Sequence, residues 1–125
     1  MVKKVVLDTN IIISAFGWHG KPRELFRKIL DKKLELILSS EIVLEIKRVL
    51  NYPKFKFSEE KKIRIISLLL KIAKIVEPKI KLNLVIDTSD NKFIECALEG
   101  KANYIITGDK HLLDIKSYMG IEILT

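Results

Sequence analysis

The first apolar segment of the chain ends abruptly in a carboxylate, and this feature constrains the fold more than any other. Val5, Val6 and Leu7 are consecutive and apolar, and Asp8 follows them directly. An uninterrupted apolar run of this kind is typical of a strand buried on both faces, as in a parallel sheet covered by helices. Asp8 is therefore predicted to stand where the first strand leaves the core.

The rest of the chain alternates short apolar strands with amphipathic helices. After the first strand, the predicted strands are residues 34–38, 80–86 (within an extended segment from 75), 103–106 and 121–124. The predicted helices follow Pro22, Ser39-Ser40 and Ser58, and another runs from Asp90 to Gly100. This order predicts an α/β fold of three layers, α/β/α, in which helices flank a central, mainly parallel sheet of four to five strands. Residues 1–125 are predicted to form one domain.

Composition and charge narrow the class of protein. With 48% hydrophobic and 31% charged residues the chain is typical of a globular protein, and no apolar run approaches the ~18 residues of a membrane-spanning helix. Because no signal peptide precedes the first strand, we expect a soluble, cytoplasmic protein without a membrane partner. The formal charge is +7, and residues 21–81 hold 17 Lys and Arg against 8 Asp and Glu. A basic surface is compatible with a nucleic acid, although exposed lysines are often only solvated.

Four carboxylates are candidates for one site. Asp8 and Asp109 each follow a short apolar strand, and the carboxyl ends of parallel strands meet at one edge of a sheet, where ligands bind. Asp90 begins a helix whose apolar face it extends, so its side chain is predicted to point inward. Glu45 lies at the border of an apolar helix face. Each also has a structural explanation as a cap, turn or rim residue, but four such explanations would have to hold at once.

Converging carboxylates have a chemical consequence. They repel one another, which raises their pKa values unless a cation lies among them. Oxygen ligands without His or Cys favour Mg²⁺ or Mn²⁺ over zinc. Such an ion can activate water and neutralise charge on a phosphodiester. The acidic site and the basic surface therefore fit a single function, the hydrolysis of a polyanion.

The sequence resembles the PIN-domain nucleases. The resemblance rests on Asp8-Thr-Asn-Ile, on Glu45 in Ser-Ser-Glu-Ile-Val-Leu-Glu-Ile, on Asp90 in Asp-Asn-Lys-Phe-Ile-Glu-Cys-Ala, and on Thr107-Gly-Asp109. It covers essentially the whole chain and is strongest for the small prokaryotic VapC-type branch, the toxins of toxin–antitoxin pairs. It implies Mg²⁺- or Mn²⁺-dependent hydrolysis of RNA that leaves a 3′-hydroxyl and a 5′-phosphate, frequent homodimers, and an antitoxin partner whose tail blocks the site.

The resemblance also implies residue roles. The catalytic, metal-binding acids of the family match, in chain order, Asp8, Glu45, Asp90 and Asp109. Asn10 and Thr107 match its polar support residues, which implies that they orient Asp8 and a water molecule. Asp87 is an extra acid that either reaches the metal through water or shapes the turn.

We therefore predict a metal-dependent endoribonuclease, and two alternatives stay open. A phosphatase-like hydrolase with Asp8 as its nucleophile would want a second acid two residues later, where Asn10 stands. A catalytically silent RNA- or protein-binding module could use the same fold. A pure RNA binder, however, gains nothing from clustered negative charge.

Two further features concern partners. The helix after Ser58 carries an apolar arc wider than one core needs, so part of it is predicted to pack on a second copy of the chain. The loop at residues 51–57 interleaves Tyr52, Phe55 and Phe57 with lysines. These rings could stack on single-stranded RNA, but packing onto the core is the favoured interpretation.

Overall fold

The structure is a computed structural model that describes residues 2–82 and 90–125, and strands and helices alternate along it. The helices are α1 (Thr9–Gly17), α2 (Lys21–Leu30), α3 (Ser40–Leu50), α4 (Glu59–Ile72), α5 (Asn91–Glu99) and α6 (Lys110–Leu113), and a 3₁₀ helix spans Pro53–Phe55. The strands are β1 (Lys3–Leu7), β2 (Leu34–Ser39), β3 (Lys74–Val76), β4 (Tyr104–Ile106), β5 (Ser117–Tyr118) and β6 (Ile121–Leu124). The predicted α/β class is confirmed.

The strands form one mainly parallel sheet in the order β3-β2-β1-β4-β6-β5. β1 pairs in parallel with both β2 and β4, whereas β5 runs antiparallel to β6. The predicted sheet of four to five strands was too small, because the described residues contribute six. β3 has three residues and β5 two, which is too short for an alternating pattern to reveal them.

The third strand also lies earlier than predicted. α4 ends at Ile72, and Ala73 is already extended, so the chain enters the sheet at once and β3 pairs with β2. Residues 77–82 are not in a strand. Pro78 explains the interruption, because proline has no N–H to donate to a ladder. Residues 83–86 of the predicted strand lie outside the described residues.

Helices cover both faces of the sheet. Val5, Val6 and Leu7 of β1 are at most 1% exposed. Because successive side chains of a strand point to opposite faces, burial of consecutive residues requires cover on both sides. α5 packs against β1, β2 and β4, and α2 packs against β2. These contacts give the predicted three layers.

Side-chain caps determine where two of the helices begin. Ser39 accepts a hydrogen bond from the N–H of Ile42 at 3.3 Å, and Ser58 accepts one from Lys61 at 3.1 Å. Each cap satisfies a backbone donor that has no partner within the helix. α3 therefore starts where β2 ends, which brings Glu45 near the carboxyl edge of the sheet. None of the helices in the described ranges is long and apolar enough to cross a membrane.

Gly100 provides a test of the packing between α5 and the sheet. It ends α5, and a Cβ placed on it would lie 2.4 Å from Cγ2 of Ile37, a fully buried residue of β2. We expect Gly100→Ala to lower the free energy of unfolding by about 1–3 kcal/mol through overpacking. Urea unfolding measures this change.

Gly108→Ala is the matched control. A Cβ at Gly108 meets no atom within 4 Å, so this variant should be unchanged or slightly more stable, since alanine restricts the unfolded chain. Equal destabilisation by both substitutions would contradict the proposed contact between Gly100 and Ile37.

Candidate active site

The structure brings the four predicted carboxylates to one cavity, beside the ends of β1 and β4. Asp8, Glu45, Asp90 and Asp109 all line it. The other lining residues are Thr9, Asn10, Ile11, Ser14, Phe93 and Gly108. Its volume of about 410 Å³ is in the range of ligand-binding clefts. The acids come from four separate segments of the chain, so only the tertiary fold assembles them.

Asp8 is buried where β1 leaves the core, at 6% exposure. Its carboxylate accepts a hydrogen bond from the N–H of Ile11 at 2.9 Å, which caps α1, and another from the hydroxyl of Thr107. Asp8 therefore has a local structural role that the apolar run before it does not reveal. Burial raises the pKa of Asp8 above its ordinary value of 3.8, and the neighbouring Asp109 adds to this rise, while hydrogen bonds from Thr107 and two backbone groups oppose it.

Thr107 links the two carboxylates that follow the central strands. Its side chain is fully buried, and its hydroxyl donates to Oδ2 of Asp8 while it accepts from the backbone N–H of Asp109 at 3.0 Å. Asp109 in turn caps α6 by accepting from the N–H groups of His111 and Leu112. Thr107 thus contacts the side chain of one acid and the backbone of the other, and the orienting role in catalysis that the family resemblance implies stays a prediction.

Glu45 is bound by groups that come from two other helices. The Thr9 hydroxyl donates to its Oε1, and the Lys92 ammonium lies 2.7 Å from its Oε2. Arg48, one turn later in α3, is a weaker neighbour at 3.6 Å. The side chain of Lys92 is only 6% exposed and that of Glu45 16%, so this ion pair forms part of the cavity wall.

Asp90 occupies the position before α5, as predicted, but its side chain makes no capping hydrogen bond to that helix. A helix cap was the structural alternative for this residue. The carboxylate does not cap the helix, and Asp90 lines the cavity; its role as a catalytic, metal-binding acid stays a prediction.

Of the two other predicted support residues, the structure describes Asn10 but not Asp87. Asn10 lines the cavity with an exposed side chain, and it makes no hydrogen bond to Asp8 in the part of the chain that the structure describes. Asp87 lies outside the described residues. Two residues that the sequence analysis did not identify, Thr9 and Lys92, contact the carboxylate of Glu45.

Lys92 had a detectable signal in the sequence. It precedes Cys96 by one helical turn, and residues four apart share a helix face. Cys96 is completely buried, so a lysine on that face must itself be buried. A buried lysine requires an acidic partner.

The carboxylates fit a hard divalent cation by their chemistry, because all of them are oxygen donors. Asp8 and Asp90 also stand at the start of α1 and α5, where negative charge is favoured. They do not converge as a closed cage. Within residues 2–82 and 90–125, no group of three His, Cys, Asp or Glu side chains is arranged so that it could hold a metal ion. One of the four acids, Glu45, is instead in contact with Lys92 and Thr9.

The aromatic side chains of the loop at residues 51–57 pack against one another and against Trp18. The ring of Phe55 lies 6.0 Å from Phe57 and 6.4 Å from Tyr52, both stacked, and 5.9 Å from Trp18 edge-on. None of these rings lines the carboxylate cavity. The structure therefore agrees with loop packing rather than with a stacking surface at the site.

Comparison with protein families gives a match over most of the chain. A family model described as PIN domain matches residues 4–111. Among individual proteins, an uncharacterized protein of Methanocaldococcus jannaschii, MJ1680, is 35% identical over 117 residues, which is 90% of this chain and 75% of that protein.

Three solved structures share the fold. VapBC2 of Rickettsia felis, bound to a DNA fragment from its promoter, aligns with a TM-score of 0.66 at 16% identity and covers 96% of each chain. PAE2754 of Pyrobaculum aerophilum aligns at 0.64 and 15% identity, over 98% of this chain and 83% of that one. VapBC-1 of nontypeable Haemophilus influenzae aligns at 0.59 and 20% identity, over 96% of each. At these identities the likeness concerns the fold alone.

The raised pKa of Asp8 predicts a pH-dependent cost to stability. Below about pH 3.8 Asp8 is protonated in both the folded and unfolded states, and it has no differential effect. As the pH rises, the unfolded chain loses this proton first, so the folded state becomes progressively less stable until Asp8 ionises there too. We expect Asp8→Asn, which removes this charge and retains a capping oxygen, to raise the melting temperature at pH 7 in EDTA.

The gain should disappear at pH 3.5, which thermal unfolding at both pH values checks. Asp31→Asn is the control, because it makes the same change of charge at an exposed position. An equal gain in both variants would indicate a general charge effect instead.

Proposed function

The chain belongs to the PIN-domain family, and from this membership and the carboxylate cavity we propose that it is a metal-dependent endoribonuclease. The observation that carries the proposal is the shared cavity of Asp8, Glu45, Asp90 and Asp109. These are the positions that match the acids of the family, and they lie far apart in the sequence. The proposal treats residues 1–125 as one nuclease domain.

The residues of the cavity have separable roles in this proposal. Asp8, Asp90 and Asp109 would hold Mg²⁺ or Mn²⁺, with Glu45 as the fourth acid of the set. When bound, the ion supplies an activated water and neutralises charge on the phosphodiester. Thr107 fixes Asp8 and the backbone of Asp109 through its two hydrogen bonds. Burial, and in smaller part the neighbouring Asp109, raises the pKa of Asp8, and a bound divalent cation would favour the ionised form of its carboxylate.

The charge distribution supports RNA as the substrate. The chain carries a formal charge of +7, and residues 21–81 alone hold 17 Lys and Arg against 8 Asp and Glu. α2, α3 and α4 lie within this range. A basic surface neutralises the phosphates of an RNA chain, while the acidic cavity receives the phosphodiester that is cut.

One observation favours the alternative of a catalytically silent binding module. In the described residues, no three acids are arranged so that they could hold a metal ion. A module of this kind would bind RNA or protein without Mg²⁺ or Mn²⁺. Cleavage assays separate the two functions.

We also propose an antitoxin protein as a partner. Two of the structures with this fold are VapBC complexes, from Rickettsia felis and Haemophilus influenzae. In VapC-type proteins, the resemblance implies that the tail of the antitoxin blocks the active site. Growth arrest on expression, relieved by Asp90→Ala, would indicate that the chain acts as a toxin.

A homodimer through α4 is the second proposed assembly. Ile65 and Leu69 of α4 are buried in the core, but Ile63 is 65% exposed and Leu70 49%. Apolar side chains exposed on a helix with a buried face favour contact with another apolar surface. A second copy of the chain provides one by symmetry.

The nuclease proposal predicts Mn²⁺-stimulated cleavage of single-stranded RNA by the purified protein. EDTA should abolish it, and Asp8→Asn should reduce the rate by about 100-fold or more, as expected for loss of a charged group at the reacting centre. Asp31→Asn, at an exposed position, should cleave like the wild type. Gel analysis of a labelled RNA measures these rates.

Two results would count against catalysis. One is that no Mn²⁺-dependent cleavage occurs with pure wild-type protein. The other is that cleavage survives Asp8→Asn, which would assign it to a contaminating nuclease.

The dimer proposal predicts that Ile63→Glu together with Leu70→Glu yields a monomer, because two buried charges would face each other across the contact. Sedimentation velocity at micromolar concentration measures the change. Met119→Glu is the control, since Met119 is 76% exposed in the turn between β5 and β6. A wild type that sediments only as a monomer would refute the dimer.

A further inference from the structure

Lys92 is a buried cation in the wall of the carboxylate cavity. Its side chain is 6% exposed, and its Nζ lies 2.7 Å from Oε2 of Glu45. The ring of the neighbouring Phe93, which lines the cavity, lies 5.0 Å from the same Nζ. Lysine is almost never buried to this extent without an acidic partner. Glu45 is that partner, although the two residues are distant in the sequence.

Glu45 is satisfied without an added ion. Its Oε1 accepts from the Thr9 hydroxyl and its Oε2 faces the Lys92 ammonium. Removing either charge of a buried pair leaves the other without compensation, which strongly destabilises a protein. The fold therefore holds Glu45 and Lys92 together as an ion pair, with Arg48 as a second, more distant cation at 3.6 Å from Glu45.

Asp8 and Asp109 stand in a different charge environment. Their hydrogen-bond donors are neutral: backbone N–H groups and the hydroxyl of Thr107. Among the residues that the structure describes, no Lys or Arg forms an ion pair with either carboxylate. In the described part of the chain, Asp8 and Asp109 therefore lack the cationic partner that Glu45 has in Lys92.

We propose that Lys92 is a positioning residue that takes the place of a second divalent ion at Glu45, so that the site binds a single divalent ion on its Asp8 and Asp109 side. This inference rests on the proposed metal-dependent function. The ions of a two-metal site lie only ~3.5–4 Å apart, each on shared carboxylates. An ammonium 2.7 Å from Oε2 of Glu45 repels any further cation at that carboxylate. Because an ammonium is a compact point charge, it can substitute for the electrostatic effect of an ion.

The test is the number of Mn²⁺ ions that each protein binds without RNA, measured by electron paramagnetic resonance of free Mn²⁺ and by calorimetry. The wild type should bind one equivalent per chain. Lys92→Met removes the ammonium and retains an unbranched side chain, so it should bind a second equivalent at the freed Glu45. Lys92→Arg keeps the charge and should remain at one.

Thermal unfolding adds a second measurement. Lys92→Met should be destabilised in EDTA and recover part of its melting temperature in Mn²⁺ beyond the shift seen in the wild type. A purely structural role for Lys92 would lower stability without adding a binding equivalent. That result, or two equivalents in the wild type, would overturn the inference.

The double variant Glu45→Gln with Lys92→Met keeps the test decisive if Lys92→Met does not fold. It removes both charges of the pair, and it should fold and bind one Mn²⁺ with the affinity of the wild type. Loss of Mn²⁺ binding in this variant would show that Glu45 is a ligand of the first ion and would overturn the proposal.

The outcomes also separate this inference from the proposed function. A wild type that cleaves RNA with Mn²⁺ while Lys92→Met still binds one equivalent refutes the role of Lys92 but leaves the nuclease intact. A wild type that neither binds Mn²⁺ nor cleaves RNA refutes both.

Discussion

Negative charge gathered at the edge of a water-excluding core is the constraint on which the rest of this structure depends. Asp8 and Asp109 follow two adjacent parallel strands, so the sheet itself forces their carboxylates together. Neutral donors offset part of the repulsion: the hydroxyl of Thr107 and the first N–H groups of α1 and α6. At Glu45 a buried ammonium does the same. The pKa of Asp8 is raised nonetheless, mainly by burial and in smaller part by the charge of Asp109.

The parts of the fold that could be predicted are those that depend on interactions between residues close together in the sequence. Ser39 and Ser58 begin helices because a serine hydroxyl can reach a backbone N–H three residues later. The apolar run before Asp8 is a buried strand because every side chain in it avoids water. The convergence of Asp8 and Asp109 could also be predicted, since parallel strands end on the same edge.

What escaped prediction depends on contacts across the chain or on very short elements. β3 and β5 are too short for alternation of apolar and polar side chains to be recognised in the sequence. They are strands because they pair with β2 and β6. The contact of Lys92 with Glu45 joins α5 to α3, and helical spacing could indicate only that Lys92 is buried, not its partner. The capping roles of Asp8 and Asp109 show that a carboxylate can serve the helix and the cavity at once.

The short strands at both edges of the sheet govern how the chain can aggregate. In the described residues the sheet ends in β3 on one side and β5 on the other, with three and two residues. An edge this short offers few unpaired backbone groups, so one molecule cannot readily extend the sheet of another into a fibril. Contact between copies, as in the proposed dimer, then falls to exposed side chains on helices such as Ile63 and Leu70 of α4.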